Sequence, residues 1–169
     1  MTASIWQADG RQPVQDVDFL VIGAGLVGAA AAYFARAAGH EVTITDRGDF
    51  ASGASGRNAG FMMLGLDSYY HQSVARYGEA TVREMWQISS ETLAFWRDMV
   101  ERSKGEVPYE SQGSYLLSES AQEAKDLDEA ARAMQAAGID CIFHPKDPLG
   151  RGYFNAIEKP GDGAVHPVK

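Results

Sequence analysis

The chain has 169 residues, 45% hydrophobic and 22% charged, with a formal net charge of −8. Those proportions describe a soluble globular protein large enough for one ordinary domain, and exclude a fibre or a disordered tail. Lysine and arginine are scattered, so no basic face is available for nucleic acid or an anionic membrane.

Cys141 is the single cysteine. It permits no internal disulfide and fits a reducing, cytoplasmic setting. Residues 1–17 form a polar leader, with Asp9, Arg11 and Asp16 and no apolar core of signal-peptide length.

From Asp18 the pattern changes. Phe19-Leu20-Val21-Ile22 is a short apolar run, expected as a parallel strand buried on both faces. A helix rich in alanine is expected over residues 26–38, with Gly39 closing it. The apolar stretch 19–38 is broken by Gly23, Gly25, Gly28 and Arg36, which excludes a membrane span. Residues 41–46 carry β-branched Val42, Thr43, Ile44 and Thr45 and predict a second strand. Strand, helix and strand in this order imply a right-handed parallel crossover.

Residues 51–60, ASGASGRNAG, form a loop too small and polar to pack as a core element. Over residues 68–103, the pattern recurs at Val74, Tyr77, Thr81, Met85, Ile88, Leu93, Trp96 and Val100, the spacing of one long amphipathic helix or of two consecutive ones, with Gly78 as the candidate interruption. Residues 114–118 predict a strand, and residues 120–137 a helix with Ser120 as N-cap and Gly138 as its stop. Residues 139–143 predict a short strand, and residues 159–169 a turn-rich end.

The chemistry sits in Gly23-Ala24-Gly25-Leu26-Val27-Gly28. Gly23 permits the tight turn out of the strand, Gly25 a close approach to a pyrophosphate, and Gly28 close packing of helix on strand. The helix start at Leu26 offers unpaired N–H groups and a positive dipole end, which suit a diphosphate. Asp46 ends the next strand, 23 positions after Gly23, where a carboxylate can accept hydrogen bonds from an adenosine ribose. Both NAD and FAD contain that ADP half. The small residues, Arg57 and Asn58 of the following loop, in place of an early second helix, favour FAD.

FLVIGAGLVGAAAAYFARAAGHEVTITDRG followed by ASGASGRNAGF resembles the D-amino-acid-oxidase-like family of FAD-dependent oxidoreductases, the group of glycine, sarcosine and γ-glutamylputrescine oxidases. Asp162-Gly163-Ala164-Val165-His166-Pro167 resembles the segment in which that family's chain returns from its substrate domain to its FAD domain. The resemblance implies an α/β fold: a Rossmann-like FAD-binding βαβ unit with long helices, and the beginning of a mixed α+β substrate domain, incomplete on its own. It divides the chain into residues 18–110 for the first part of the FAD domain, 111–159 for the first part of the substrate domain, and 160–169 for the return.

By the same resemblance, Gly23, Gly25, Leu26, Val27 and Gly28 would face the pyrophosphate, and Asp46 the ribose with Arg47 beside it. Ser55, Arg57, Asn58, Ala59 and Gly60 would run along the cofactor, with Phe61 and Met62 near the flavin ring. Relatives that tether flavin through a histidine of this loop have it where Asn58 stands, so FAD is expected to be noncovalent. The implied reaction is oxidation of an amine or amino-acid C–N bond by hydride transfer to flavin, and no catalytic side chain is assigned. The family pattern continues beyond Lys169, which leads to the expectation of a split, processed or truncated oxidoreductase paired with a second polypeptide. Alternative readings are an NAD-binding dehydrogenase domain and a non-catalytic FAD- or ADP-binding subunit of a complex.

The remaining residues carry weaker signals. Cys141 and His144 are half of a metal site at most, and a buried structural cysteine is the preferred reading. His166 is expected to pack at a domain junction, His40 to sit in an exposed turn, and His71 to lack a partner. Trp86, Trp96, Tyr69, Tyr70 and Tyr77 could form an aromatic amine cage but read first as core. Glu119, Glu123, Asp126, Asp128 and Glu129 make an acidic helix face, read as solvated.

Overall fold

A computed structural model describes residues 16–169; apart from Asp16 and Val17, the expected leader lies outside the described residues. The chain forms two compact units, residues 16–57 with Val168 and residues 58–167 with Lys169.

The first unit is the expected βαβ motif. Strand β1 (Phe19–Ile22) pairs in parallel with β2 (Val42–Thr45), Phe19 opposite Val42 and Ile22 opposite Thr45. Helix α1 (Leu26–Ala37) connects them. It ends where Gly39, at φ +98°, donates its N–H to the Arg36 carbonyl. The expectation of a strand buried on both faces is corrected: only Val21 is buried, while Leu20 and Ile22 are exposed, Ile22 at 82%. The reason is that, within its own unit, β1 has one strand neighbour, β2, and one helix, α1, packed against it.

In the second unit, the expected helical stretch is two helices, α2 (Tyr70–Tyr77) and α3 (Glu79–Arg102). Gly78 sits between them at φ +83°, ψ 150°, a backbone state L side chains rarely adopt, so the break falls where glycine permits it. Helix α4 (Ala121–Ala136) starts at Ser120, whose Oγ accepts the Glu123 N–H at 3.2 Å, while the Glu123 carboxylate accepts the Glu119 N–H at 2.7 Å.

Two antiparallel sheets complete this unit. Strand β3 (Phe61–Met62) and β4 (Tyr109–Glu110) flank β8 (Gly163–Val165), and β5 (Ser114–Leu117) and β6 (Ile142–His144) flank β7 (Ala156–Lys159). The strand expected at 139–143 therefore starts later, because Ile139 still caps α4 by donating to the Met134 carbonyl. The turn-rich end has turns at Pro160–Gly161 and Pro167–Val168 and also holds β8 between them, and the first turn passes the chain from one sheet into the other. Leu116, Ile157 and Phe143 lie in one cross-strand row. Ile157 and Phe143 meet Leu127, Ala130, Ala131 and Met134 of α4 and Tyr70 and Val82 in a single core. Beside it, buried Ser118 and Asn155 satisfy each other: Ser118 Oγ donates to Asn155 Oδ1 at 2.6 Å and accepts the Asn155 N–H at 3.0 Å.

Candidate functional site

In the first unit the glycine loop is held from three sides. At its start, Gly23 continues the ladder by donating to the Thr45 carbonyl at 2.7 Å. Behind it, a Cβ on Gly28 would fall on the Gly23 carbonyl oxygen and lie 3.3 Å from Val21, so α1 approaches β1 as closely as only glycine allows. From β2, Asp46 reaches across: its Oδ2 accepts the Ala24 N–H at 2.7 Å and its Oδ1 the Gly48 N–H at 2.9 Å. The Ala24 and Gly48 amides hold the Asp46 carboxyl below its ordinary value. Each carboxylate oxygen keeps a second lone pair that can accept a ligand hydroxyl.

The loop after β2 is anchored to the same place. Ala51 donates its N–H to the Ala24 carbonyl at 3.0 Å, and a short 3-10 turn at Ala54–Gly56 brings Ser55 to the start of α1. There Ser55 Oγ accepts the Leu26 N–H at 2.9 Å, doing the capping that Gly25 has no side chain to do. By helix geometry the N–H groups of Val27 and Gly28 still have no acceptor within the helix. They stand at its positive end, so the loop matches a diphosphate in both donors and field. Gly23, Gly25, Leu26, Val27, Gly28, Asp46 and Ser55 are thus one constellation. Arg47 and Arg57 lie at the exposed surface, with Arg57 Nε donating to the Gly53 carbonyl at 3.3 Å.

In the second unit, Asn58 Oδ1 accepts the Gly60 N–H at 2.7 Å, and the Gly60 carbonyl accepts the Val165 N–H at 2.8 Å. These bonds start β3 on β8, leaving Ala59 and Phe61 exposed and Met62 buried. A second hub lies at the other end of β3. Asp162, 1% exposed, accepts from the Leu64 N–H at 2.8 Å, Ser114 Oγ at 2.6 Å and Lys159 Nζ at 3.0 Å.

Sequence reasoning missed this hub, the capping role of Ser55 and the Asp46–Ala24 bond, because their partners are distant in the chain. It also left His71 without a partner: its Nε2 stands 3.7 Å from Glu129 and its ring stacks on Tyr69. Glu129 of the acidic face is therefore partly engaged. His40 pairs with Asp18 at 3.0 Å, and His166 Nδ1 accepts the Lys169 N–H at 3.3 Å. Cys141 is buried, and burial pushes its thiol up. Among the described residues no three His, Cys, Asp or Glu side chains gather as a metal site, and no helix is long and apolar enough to cross a membrane.

The parallel βαβ unit and its tied glycine loop define a dinucleotide-binding α/β protein. The family model described as "DAO: FAD dependent oxidoreductase" matches residues 18–169, and the chain belongs to this FAD-dependent family. Glycine oxidase from Bacillus cereus is similar in structure at 25% identity, over 90% of this chain and 40% of that one, with a TM-score of 0.61. L-amino acid deaminase from Proteus vulgaris shares 18% identity over 94% of this chain and 36% of its own, with a TM-score of 0.67. Iminodiacetate oxidase from Chelativorans sp. BNC1 shares 22% over 88% and 41%, with a TM-score of 0.58. The chain thus spans about 40% of the length of the solved glycine oxidase it matches. A comparison with curated proteins finds no match.

Proposed function

We propose that the protein acts as a flavin-dependent oxidoreductase on the C–N bond of an amino acid or amine. The observation that carries this reading is the glycine loop at the start of α1, tied by Asp46 and Ser55, in a chain of the FAD-dependent family. The names of the similar structures, a glycine oxidase, an amino acid deaminase and an iminodiacetate oxidase, point to the same bond class. When bound, FAD supplies the hydride-accepting ring, and the protein's part is to bind and orient.

In this reading Gly23, Gly25, Leu26, Val27 and Gly28 meet the pyrophosphate, and Asp46 accepts the ribose hydroxyls through its remaining lone pairs, with Arg47 beside it. Ser55, Arg57, Asn58, Ala59, Gly60, Phe61 and Met62 extend toward the flavin. An amide at Asn58 forms no flavin bond, so FAD is held noncovalently. Residues 18–110 then begin the FAD domain, 111–159 the substrate domain, and 160–169 return to the first.

The partner reading rests on exposure. Leu20, Ile22 and Val27 leave apolar surface that further elements of the family fold would cover, on a second polypeptide in our reading. Native mass spectrometry of active material checks it, and an active, FAD-loaded species containing only the 18.3 kDa chain overturns it.

The function itself is tested by colour and bleaching. The intact protein is expected to show flavin absorbance, release FAD on denaturation, and bleach anaerobically with a small amino acid or secondary amine. A colourless protein that binds NADH would sink the proposal in favour of a dehydrogenase domain. A yellow protein that no amine bleaches would reduce it to a cofactor-binding subunit.

A further inference from the structure

A cavity of about 390 Å³ opens within the second unit, where the segment leaving β3 crosses α2, α3, α4 and the β5–β7 face. Three of the five aromatic residues weighed as a cage, Tyr69, Tyr70 and Trp86, line it; Trp96 and Tyr77 do not. The Tyr70 ring stands edge-on to Trp86, with centroids 5.4 Å apart. Leu66, Leu116 and Met134 add apolar wall.

Its polar end is built around Gly65, at φ +144°. A Cβ there would lie 3.6 Å from the Trp86 ring and 3.8 Å from Lys159 Nζ, so the glycine leaves a notch between an indole and an ammonium. Lys159 Nζ donates to the Leu64 carbonyl at 2.7 Å and to Asp162 at 3.0 Å. An ammonium has three donors. The third has no protein partner among the described residues.

We propose that this cavity is a binding site for a small monocarboxylate with an apolar body, its carboxylate on Lys159 at the Gly65 notch and its body along Trp86. A cation would meet the Lys159 ammonium at the notch, and a wholly apolar ligand would leave the third Lys159 donor to water; Asp67, exposed at the rim, directs a carboxylate to the Lys159 end. A cavity of about 150 Å³ already suffices for benzene, so this one holds a branched six-carbon acid with room to spare. The site does not depend on the flavin.

The test uses the intact, isotope-labelled protein titrated with 4-methylpentanoate and, separately, with its neutral amide. Expected are saturable shifts at the Gly65 amide and Trp86 indole N–H, with the acid binding about tenfold tighter than the amide. Gly65→Ala, which fills the notch, should weaken the acid by about tenfold or more, and Lys159→Gln should erase the preference over the amide. Should either variant fail to fold, the acid-to-amide ratio in the unmodified protein still decides. Equal binding of the two probes, no saturable binding, or shifts centred on Gly23 to Gly28 would each overturn the proposal.

Discussion

In the βαβ unit the buried apolar side chains are small, Ala24, Ala32 and Ala35 beside Val21, whereas the second unit closes a core on Leu127, Ile157, Val82 and Tyr70. The first unit exposes Ile22 and Val27 almost fully. Its shape comes from backbone bonds: the β1–β2 ladder, Asp46 on Ala24, Ser55 on Leu26, and a helix brought close by Gly28. The second unit is held by volume, with Asp162 and Ser118 placing polar pins at its edges. A ligand-binding loop needs donors left open and backbones close together, while a core needs large side chains facing inward. The two units divide those tasks.

That contrast can be broken in order of expected effect. Gly28→Ala puts a methyl on the Gly23 carbonyl, forcing α1 off β1. We expect a loss of about 3 kcal/mol or more and no FAD retained through gel filtration. Retention of flavin would show that close helix–strand approach is not what shapes the site. Leu127→Ala empties the centre of the other core and should cost about 2–5 kcal/mol in urea denaturation. A cost below about 1 kcal/mol would deny that α4 is held by volume.

Ile22→Ser should cost about 2 kcal/mol in active material, where in the proposed reading further elements cover β1. A change of less than about 0.5 kcal/mol would show instead that Ile22 stays exposed. Ser120→Ala removes the α4 cap and should cost about 1 kcal/mol.

Asp46 has a lowered pKa when folded, so the bond it accepts from Ala24 is present above the ordinary value of 3.8 and is lost as pH falls through the lowered one. The protection of the Ala24 amide, its exchange measured against the intrinsic rate at each pH, should therefore fall only below that range, and Asp46→Asn should remove the step. An Ala24 amide with no protection near neutral pH would contradict the bond.

The legible parts of the molecule were those whose signal and partner are neighbours in the chain. Gly78 marked the helix break, Ser120 the cap, and Gly23, Gly25 and Gly28 the turn, because each acts within one turn of itself. Its spacing picked out Asp46 as a candidate site residue, but gave no sign of its bond to Ala24. Strands β7 and β8 were missed for a related reason: they do not pair with each other across Pro160 and Gly161, and β8 takes both partners, and β7 its partner β5, from far earlier in the chain. The short runs around that turn lack the alternation that marks an isolated strand.

By itself the sequence determined the βαβ order, the helix ends, the glycine loop and a pattern shared with FAD-dependent oxidoreductases, all set by local backbone preference and residue spacing. The tertiary structure alone decided which polar groups meet. Leu64 finds Asp162 across 98 positions, and Lys159 finds Leu64 across 95, opening the Gly65 notch between an ammonium and an indole. Periodicity carries no information about such pairs, because a buried carboxylate is stabilised by whichever donors the packed chain brings to it.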